Sequence, residues 1–347
     1  MKRHLTRLPA MAAAVCTLAL LAGCGSDDEG GGAAAKPPAE GKKLKVAMVT
    51  DIGGLNDRSF NALAYKGLKD AQKELGVEIR AVTSRSNADY VPNLSSLARQ
   101  KYDIVFAVGF LMADATATVA KSFPNTKFAI IDFSVDSLKG KPQNVEGLLF
   151  KENEAGYLAG YMAGLYVKEK GGDQVISTVG GQEIPPVDGY IAGYQAGAKA
   201  ANPEIETLND YSQDFVDQAK CKELALNQIE QGSQVVFQVA GQCGLGALDA
   251  AKEQNVQGIG VDADQAYIGS HVMTSALKNI DEAVLKTVTD VQGDGFKAGT
   301  DTLFDVKSDG VGLGKVSPEG EPFADQVEEV RGQIAAGEIA DIPAEVR

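Results

Sequence analysis

The sequence predicts an α/β protein of two lobes, each built on a parallel, doubly wound sheet. Three observations carry that expectation. From Lys45 onward, short apolar runs of strand length alternate with longer segments of helical spacing, and the alternation starts afresh at Gln174. The first of these runs, 46–49, is continuously apolar, as in a strand buried on both faces. Finally, residues 46–67 (VAMVTDIGGLNDRSFNALAYKG) lead one such run into a helix through a polar loop, the place where open α/β sheets bind ligands.

The first run, 46–49, is rich in Val and Met and breaks at Asp51, Gly53 and Gly54. Asn56 or Asp57 can cap the helix that follows, because a short side-chain oxygen accepts from the free amides of a first turn. Phe60, Leu63, Ala64 and Leu68 form its apolar stripe. The loop offers two carboxylates, an amide, a hydroxyl and an aromatic ring with almost no lysine, which suits a neutral polyhydroxylated or heteroaromatic ligand better than a phosphate. Further strands are expected over 77–82, 104–108, 128–132 and 145–150, with helices over 65–75, 94–100 and 113–122.

Residues 151–172 (KENEAGYLAGYMAGLYVKEKGG) put Gly156, Gly160 and Gly164 on one helix face. The apolar part is too short for a membrane span and is flanked by Glu152, Glu154 and Lys168, so close packing against another helix is expected. A second set of units follows, with strands over 174–179, 205–208, 235–239 and 258–261 and helices over 189–201, 216–231 and 246–254. Residues 272–296 hold a strand and a helix that can return to the first lobe. A less regular tail from Gly299 ends in a helix over 323–336. The lobes are therefore expected over 44–150 with about 276–300, and over 151–275 with about 301–340, enclosing a cleft.

The amino terminus carries Lys2, Arg3 and Arg7 before an apolar run over 10–22, the pattern of a secretory leader covering 1–23. Its end, Leu21-Ala22-Gly23-Cys24, resembles the bacterial lipobox, which implies cleavage before Cys24 and lipid on its sulfur. Residues 25–41 (GSDDEGGGAAAKPPAEG) cannot form a core, so 24–43 reads as a flexible tether holding a soluble domain off a membrane. With 347 residues, 44% of them hydrophobic, the chain has material for two lobes of common size. The formal charge of −14 becomes more negative without the basic leader, which argues against nucleic acid or an anionic membrane surface as partner. Beyond Cys16 in the leader and Cys24, only Cys221 and Cys243 remain, and outside the cytoplasm such a pair is expected to be bonded.

Five segments in order, TDIGGLNDRSFN (50–61), ENEAGYLAGYMAG (152–164), VVFQVAGQCGLGAL (235–248), IGVDADQ (259–265) and TSALKN (274–279), follow the lipobox. In this combination the chain resembles the basic membrane protein family, lipoprotein receptors similar to the purine nucleoside receptor of spirochaetes. The resemblance implies a type I periplasmic-binding-protein fold, with two Rossmann-like lobes, that hands nucleosides to the permease subunits of an ABC transporter. It implies that Phe60 stacks on the nucleobase, that Asp51 and Asn56 or Asp57 line the same pocket, and that Asp262 accepts from ribose hydroxyls with help from Lys278 and Gly241. Asp132 is a further strand-end carboxylate of the site. The family's second stacking aromatic has no match around Val239-Ala240-Gly241, where Phe237 is set back by two residues.

No cofactor or metal is expected, and the protein reads as a monomer. An enzyme is the competing class, but His271 is the only histidine beyond the leader, which leaves no Ser-His-Asp order or zinc spacing. An Asp51–Asp262 carboxylate pair hydrolysing a glycosidic bond is the remaining enzymatic reading. A second alternative keeps the fold and changes the ligand to a sugar or another small polar metabolite, as cargo or as a sensed signal.

Overall fold

A computed structural model describes residues 43–346. The leader, the tether and Cys24 lie outside the described residues. The elements run in the order β1 (Lys45–Ile52), α1 (Phe60–Leu75), β2 (Glu78–Ser84), α2 (Tyr90–Arg99), β3 (Ile104–Val108), α3 (Ala113–Ser122), β4 (Lys127–Ile131), β5 (Val145–Phe150) and α4 (Glu152–Lys170). They continue with β6 (Val175–Gly180), α5 (Pro185–Ala201), β7 (Glu206–Tyr211), α6 (Gln218–Glu230), β8 (Ser233–Val239), α7 (Gly241–Glu253), β9 (Gln257–Asp262), β10 (Val272–Lys278) and α8 (Ile280–Gln292). Two short strands, β11 (Asp301–Phe304) and β12 (Val311–Leu313), precede α9 (Ala324–Ala336).

The strands form two six-stranded sheets, ordered β11-β5-β4-β3-β1-β2 and β12-β10-β9-β8-β6-β7. Every pairing is parallel except β12 with β10. Burial fits this: β3, β6 and β9 are buried along their whole length, covered on both faces as parallel sheets require. The architecture is the type I periplasmic-binding-protein fold.

The chain passes between lobes after β5, after β10 and after β11. These crossings sit a few residues from their expected places. β10 belongs to the second sheet to its last residue, Lys278, and β11 pairs with β5 in the first, so the returning segment is 280–304 rather than about 276–300. Helix α8 packs on α1, where Lys66 Nζ lies 2.6 Å from Asp281 Oδ2 and a methyl on Gly67 would collide with Asp281 O.

In α4, the glycine face does what the sequence suggested. Added methyls at Gly156, Gly160 and Gly164 would strike the backbone of Tyr190, Tyr194 and Ala198 of α5, and Gly193 and Gly197 return the contact against Asn153 and Tyr157. No helix among the described residues is long and apolar enough to cross a membrane.

Helix starts were the weak point of the sequence reading. Helix α5 begins at Pro185 rather than Gly189, because prolines in a first turn lose no hydrogen bond. Helix α2 begins at Tyr90 rather than Leu94, after a turn in which Asp89 accepts from the amides of Arg85 and Ser86. Helix α7 starts at Gly241 rather than Gly246. Gly244 and Gly246 lie inside it because side chains there would run into Gln238 and the Gln218 carbonyl, so these glycines serve close packing and not a turn.

Candidate functional site

The carboxyl ends of strands from both sheets meet around a cleft lined by residues of both lobes. The first lobe contributes Asp51 at the end of β1, Phe60 and Asn61 opening α1, Phe110 beyond β3 and Asp132 beyond β4. The second contributes Gly241 and Gln242 at the start of α7, Asp262 ending β9 and Lys278 ending β10. Several of these ends hold left-handed backbone: Asp132 at φ 70°, Asp262 at φ 60° and Gly241 at φ 55°. For the aspartates that conformation is uncommon, and such residues concentrate where a fold clamps a ligand.

Each carboxylate of the cleft has a partner, some of them shared. Asp57 caps α1, accepting from Asn61 N at 2.8 Å, Ala62 N at 2.9 Å and Ser59 N at 3.1 Å. Asp51 Oδ1 accepts from Asn61 Nδ2 at 2.7 Å. Asp262 Oδ2 accepts from Ser59 Oγ at 2.6 Å, with Tyr190 Oη 3.4 Å from Oδ1. Lys278 Nζ is 2.6 Å from Asp132 Oδ1 and 2.7 Å from Glu152 Oε1, the latter just past the first crossing. Lys278 is the only cationic side chain lining the cleft among the described residues.

Burial governs the protonation of this group. It pushes Asp51 up to about 8, against the hydrogen bond from Asn61, and Glu152 up to about 7, against Lys278. It pushes Asp262 up to about 6, against Lys278 and the Ser59 hydroxyl. Asp132 is raised by burial and held back by Lys278. Burial alone would lower Lys278, but Asp132, Glu152 and Asp262 outweigh it and the ammonium is held charged. Asp51 therefore holds its proton more firmly than Asp262, which is the readier of the two to ionise.

Aromatic faces come from both lobes. Phe60 is half-buried with Lys278 Nζ 5.3 Å from its ring centre, and Phe110, Tyr190 and Phe215 also line the cleft. Phe237 does not: it is fully buried, its ring 5.0 Å from Tyr194 and 6.0 Å from Tyr190 in the core beneath. Cys221 and Cys243 are bonded, and Cys243 N donates to Phe215 O at 3.0 Å, which ties the Phe215 loop to the start of α7.

Of the residues singled out from sequence, Asp51, Asp57, Phe60, Asp132, Gly241, Asp262 and Lys278 all line the cleft. Asn56 is a correction: it is exposed in the turn before α1 and is not among the lining residues, because Asp57 takes the cap and turns the loop away. Asn61, Phe110, Phe215, Tyr190 and Glu152 were missed. Asn61 and Glu152 read as plain helix residues in sequence, whereas Phe110 opens a single 3-10 turn and Phe215 lies on a loop, neither with a local pattern. Asn61 Oδ1 is buried without a protein hydrogen-bond partner.

Residues 44–340 match the family model described as ABC transporter substrate-binding protein, PnrA-like. The chain is 34% identical to the ABC transporter nucleoside-binding protein BmpA of Lactococcus lactis subsp. cremoris, covering 98% of this chain and 99% of that one. It is 32% identical to basic membrane protein B of Borreliella burgdorferi, over 70% of this chain and 72% of that one. Among solved structures, a solute-binding protein of an ABC transporter system from Aeropyrum pernix K1 superimposes with a TM-score of 0.78 at 28% identity, covering 86% of this chain and 94% of that one. The arabinose-binding protein AraP of Geobacillus stearothermophilus shares the fold, with a TM-score of 0.60 at 14% identity over 83% of this chain and 99% of that one.

Proposed function

From its place in the basic membrane protein family of PnrA-like ABC transporter substrate-binding proteins, to which this chain belongs, we propose that it captures nucleosides, purines foremost, in the interlobe cleft for import. It does so on the outer face of the cell membrane, held by lipid on Cys24, and delivers the ligand to the permease subunits as a monomer without catalysing a reaction.

One observation carries this reading: a buried carboxylate, Asp262, and an aromatic ring, Phe60, line the same cleft from opposite lobes. Asp262 accepts from vicinal hydroxyls, and charge-assisted hydrogen bonds are about twice as strong as neutral ones. Phe60 covers a flat ring, with Phe215 placed on the other lobe as its counterpart. Asn61 Oδ1 is available to accept from a base N–H, and the carboxyl of Asp51, raised by burial, can donate beside it when protonated and accept when ionised. The name of the Lactococcus lactis relative supports the same ligand class. The wall formed by Ile184, Val187 and Val239 favours a ligand with an apolar, planar end over a bare sugar.

A thermal-shift panel tests it. Adenosine, guanosine and inosine raise the unfolding temperature of the refolded protein, and ribose, arabinose and galactose leave it unchanged; the reverse pattern would replace the nucleoside with a sugar.

A further inference from the structure

Ser59 occupies the residue before the first turn of α1, where a serine hydroxyl ordinarily accepts from the amides of its own helix. Here it does not. Asp57 has taken those amides, and the Ser59 hydroxyl points out of the first lobe altogether. It lies 2.6 Å from Asp262 Oδ2 and 3.2 Å from Val261 O, both of the second lobe, so its single proton goes to the nearer, charged acceptor. Ser59 is fully buried at this junction and does not line the cleft. Beside it a second bond crosses the same gap, from Gln265 Nε2 to Arg58 O at 3.3 Å. Arg58 and Asp262, the facing residues of the two lobes, both hold left-handed backbone, at φ 59° and φ 60°.

We infer that Ser59 is an interlobe positioning residue: its hydroxyl fixes the Asp262 carboxylate for the ligand and, by the same bond, holds the lobes closed. Asp262 then has two duties. One oxygen is committed to Ser59, the other faces Tyr190 and the cleft, and a ligand that binds it gains only when the lobes are shut. The ligand side of this inference rests on the nucleoside reading above; the closure side does not.

The test separates the two. Ser59→Ala in the protein expressed without its leader keeps the helix cap, which belongs to Asp57, so its unfolding temperature stays close to that of the unsubstituted protein. Small-angle scattering of the ligand-free variant shows a larger radius of gyration, with the closed-to-open ratio reduced about tenfold, the order expected for one hydrogen bond to a charged group. The nucleoside dissociates about tenfold faster from the variant. Superimposable scattering curves for the two ligand-free proteins would overturn the inference. A more open variant with no nucleoside heat in either protein would uphold Ser59 as the latch and remove the nucleoside reading.

Discussion

Lys278 and Asp132, the last residue of β10 and the first residue beyond β4, meet across the lobes with 2.6 Å between Nζ and Oδ1. Glu152 completes the group from the first interlobe crossing, so one buried ammonium joins the floor of the cleft to two segments that must bend when the lobes move. Replacing Lys278 by Met leaves two buried carboxylates unpaired. Breaking a buried pair in this way costs about 3–5 kcal/mol, so denaturant unfolding of Lys278→Met should shift by that order. The loss should shrink in acid, where Glu152 and Asp132 protonate. A variant as stable as the parent at every pH would show that the triad does not organise the hinge.

Protonation gives stability and affinity opposite slopes. The folded, ligand-free protein holds Asp51, Glu152 and Asp262 at about 8, 7 and 6, above their ordinary 3.8, 4.5 and 3.8. It therefore binds more protons than the unfolded chain across that window. Stability contributed by these groups is fully present at the acid end and is lost as pH rises through the folded values. Ligand hydroxyls need Asp262 ionised, so affinity should fall as pH drops through about 6. Unfolding curves and titrations over the same pH series check both signs.

Stacking should weigh on base more than on sugar. Phe60→Ala and Phe215→Ala each remove an aromatic face, a contact worth roughly 0.5–1.5 kcal/mol beyond burial. Nucleoside affinity should fall about tenfold in each when lost burial is included, with purines penalised more than pyrimidines. Equal losses for ribose and for adenosine would contradict the stacking role.

The helix pair beneath the cleft tolerates no side chain at its contact. Gly160→Ala forces a methyl into the Tyr194 carbonyl and should destabilise the second lobe by about 1–3 kcal/mol or more, read from chemical denaturation.

Reducing Cys221–Cys243 opens a link spanning 22 residues and should lower stability by roughly 3 kcal/mol in the chain-entropy model. Because the bond joins α6 to α7, whose Cys243 N holds the Phe215 carbonyl, the reduced protein should also bind its ligand more weakly after that stability loss is accounted for. Titration with and without reductant checks this.

The lobes were legible because parallel strands buried on both faces leave short apolar runs, and that of β3, IVFAV, is unbroken. The ends of these runs carried Asp51, Asp132 and Asp262 into view as cleft residues, and the family resemblance carried Lys278. What sequence did not show is long-range. Nothing local marks Ser59 as the partner of a residue two hundred positions away, or Glu152 as the second ligand of Lys278. Nor does the loop holding Phe215 carry any periodicity to mark it as a cleft aromatic of the second lobe, although Cys243 N holds its carbonyl at the start of α7. The short β11 escaped because an edge strand of four residues carries too little pattern to separate from a loop.

Isothermal titration of adenosine into the refolded protein, beside its Asp262→Ala variant, tests the central claim most directly. The account predicts one nucleoside bound per chain with clear heat, lost in the variant while the variant stays folded. Absence of heat with adenosine, guanosine, inosine and uridine alike, or heat that Asp262→Ala leaves intact, would contradict a nucleoside held by Asp262 in the interlobe cleft.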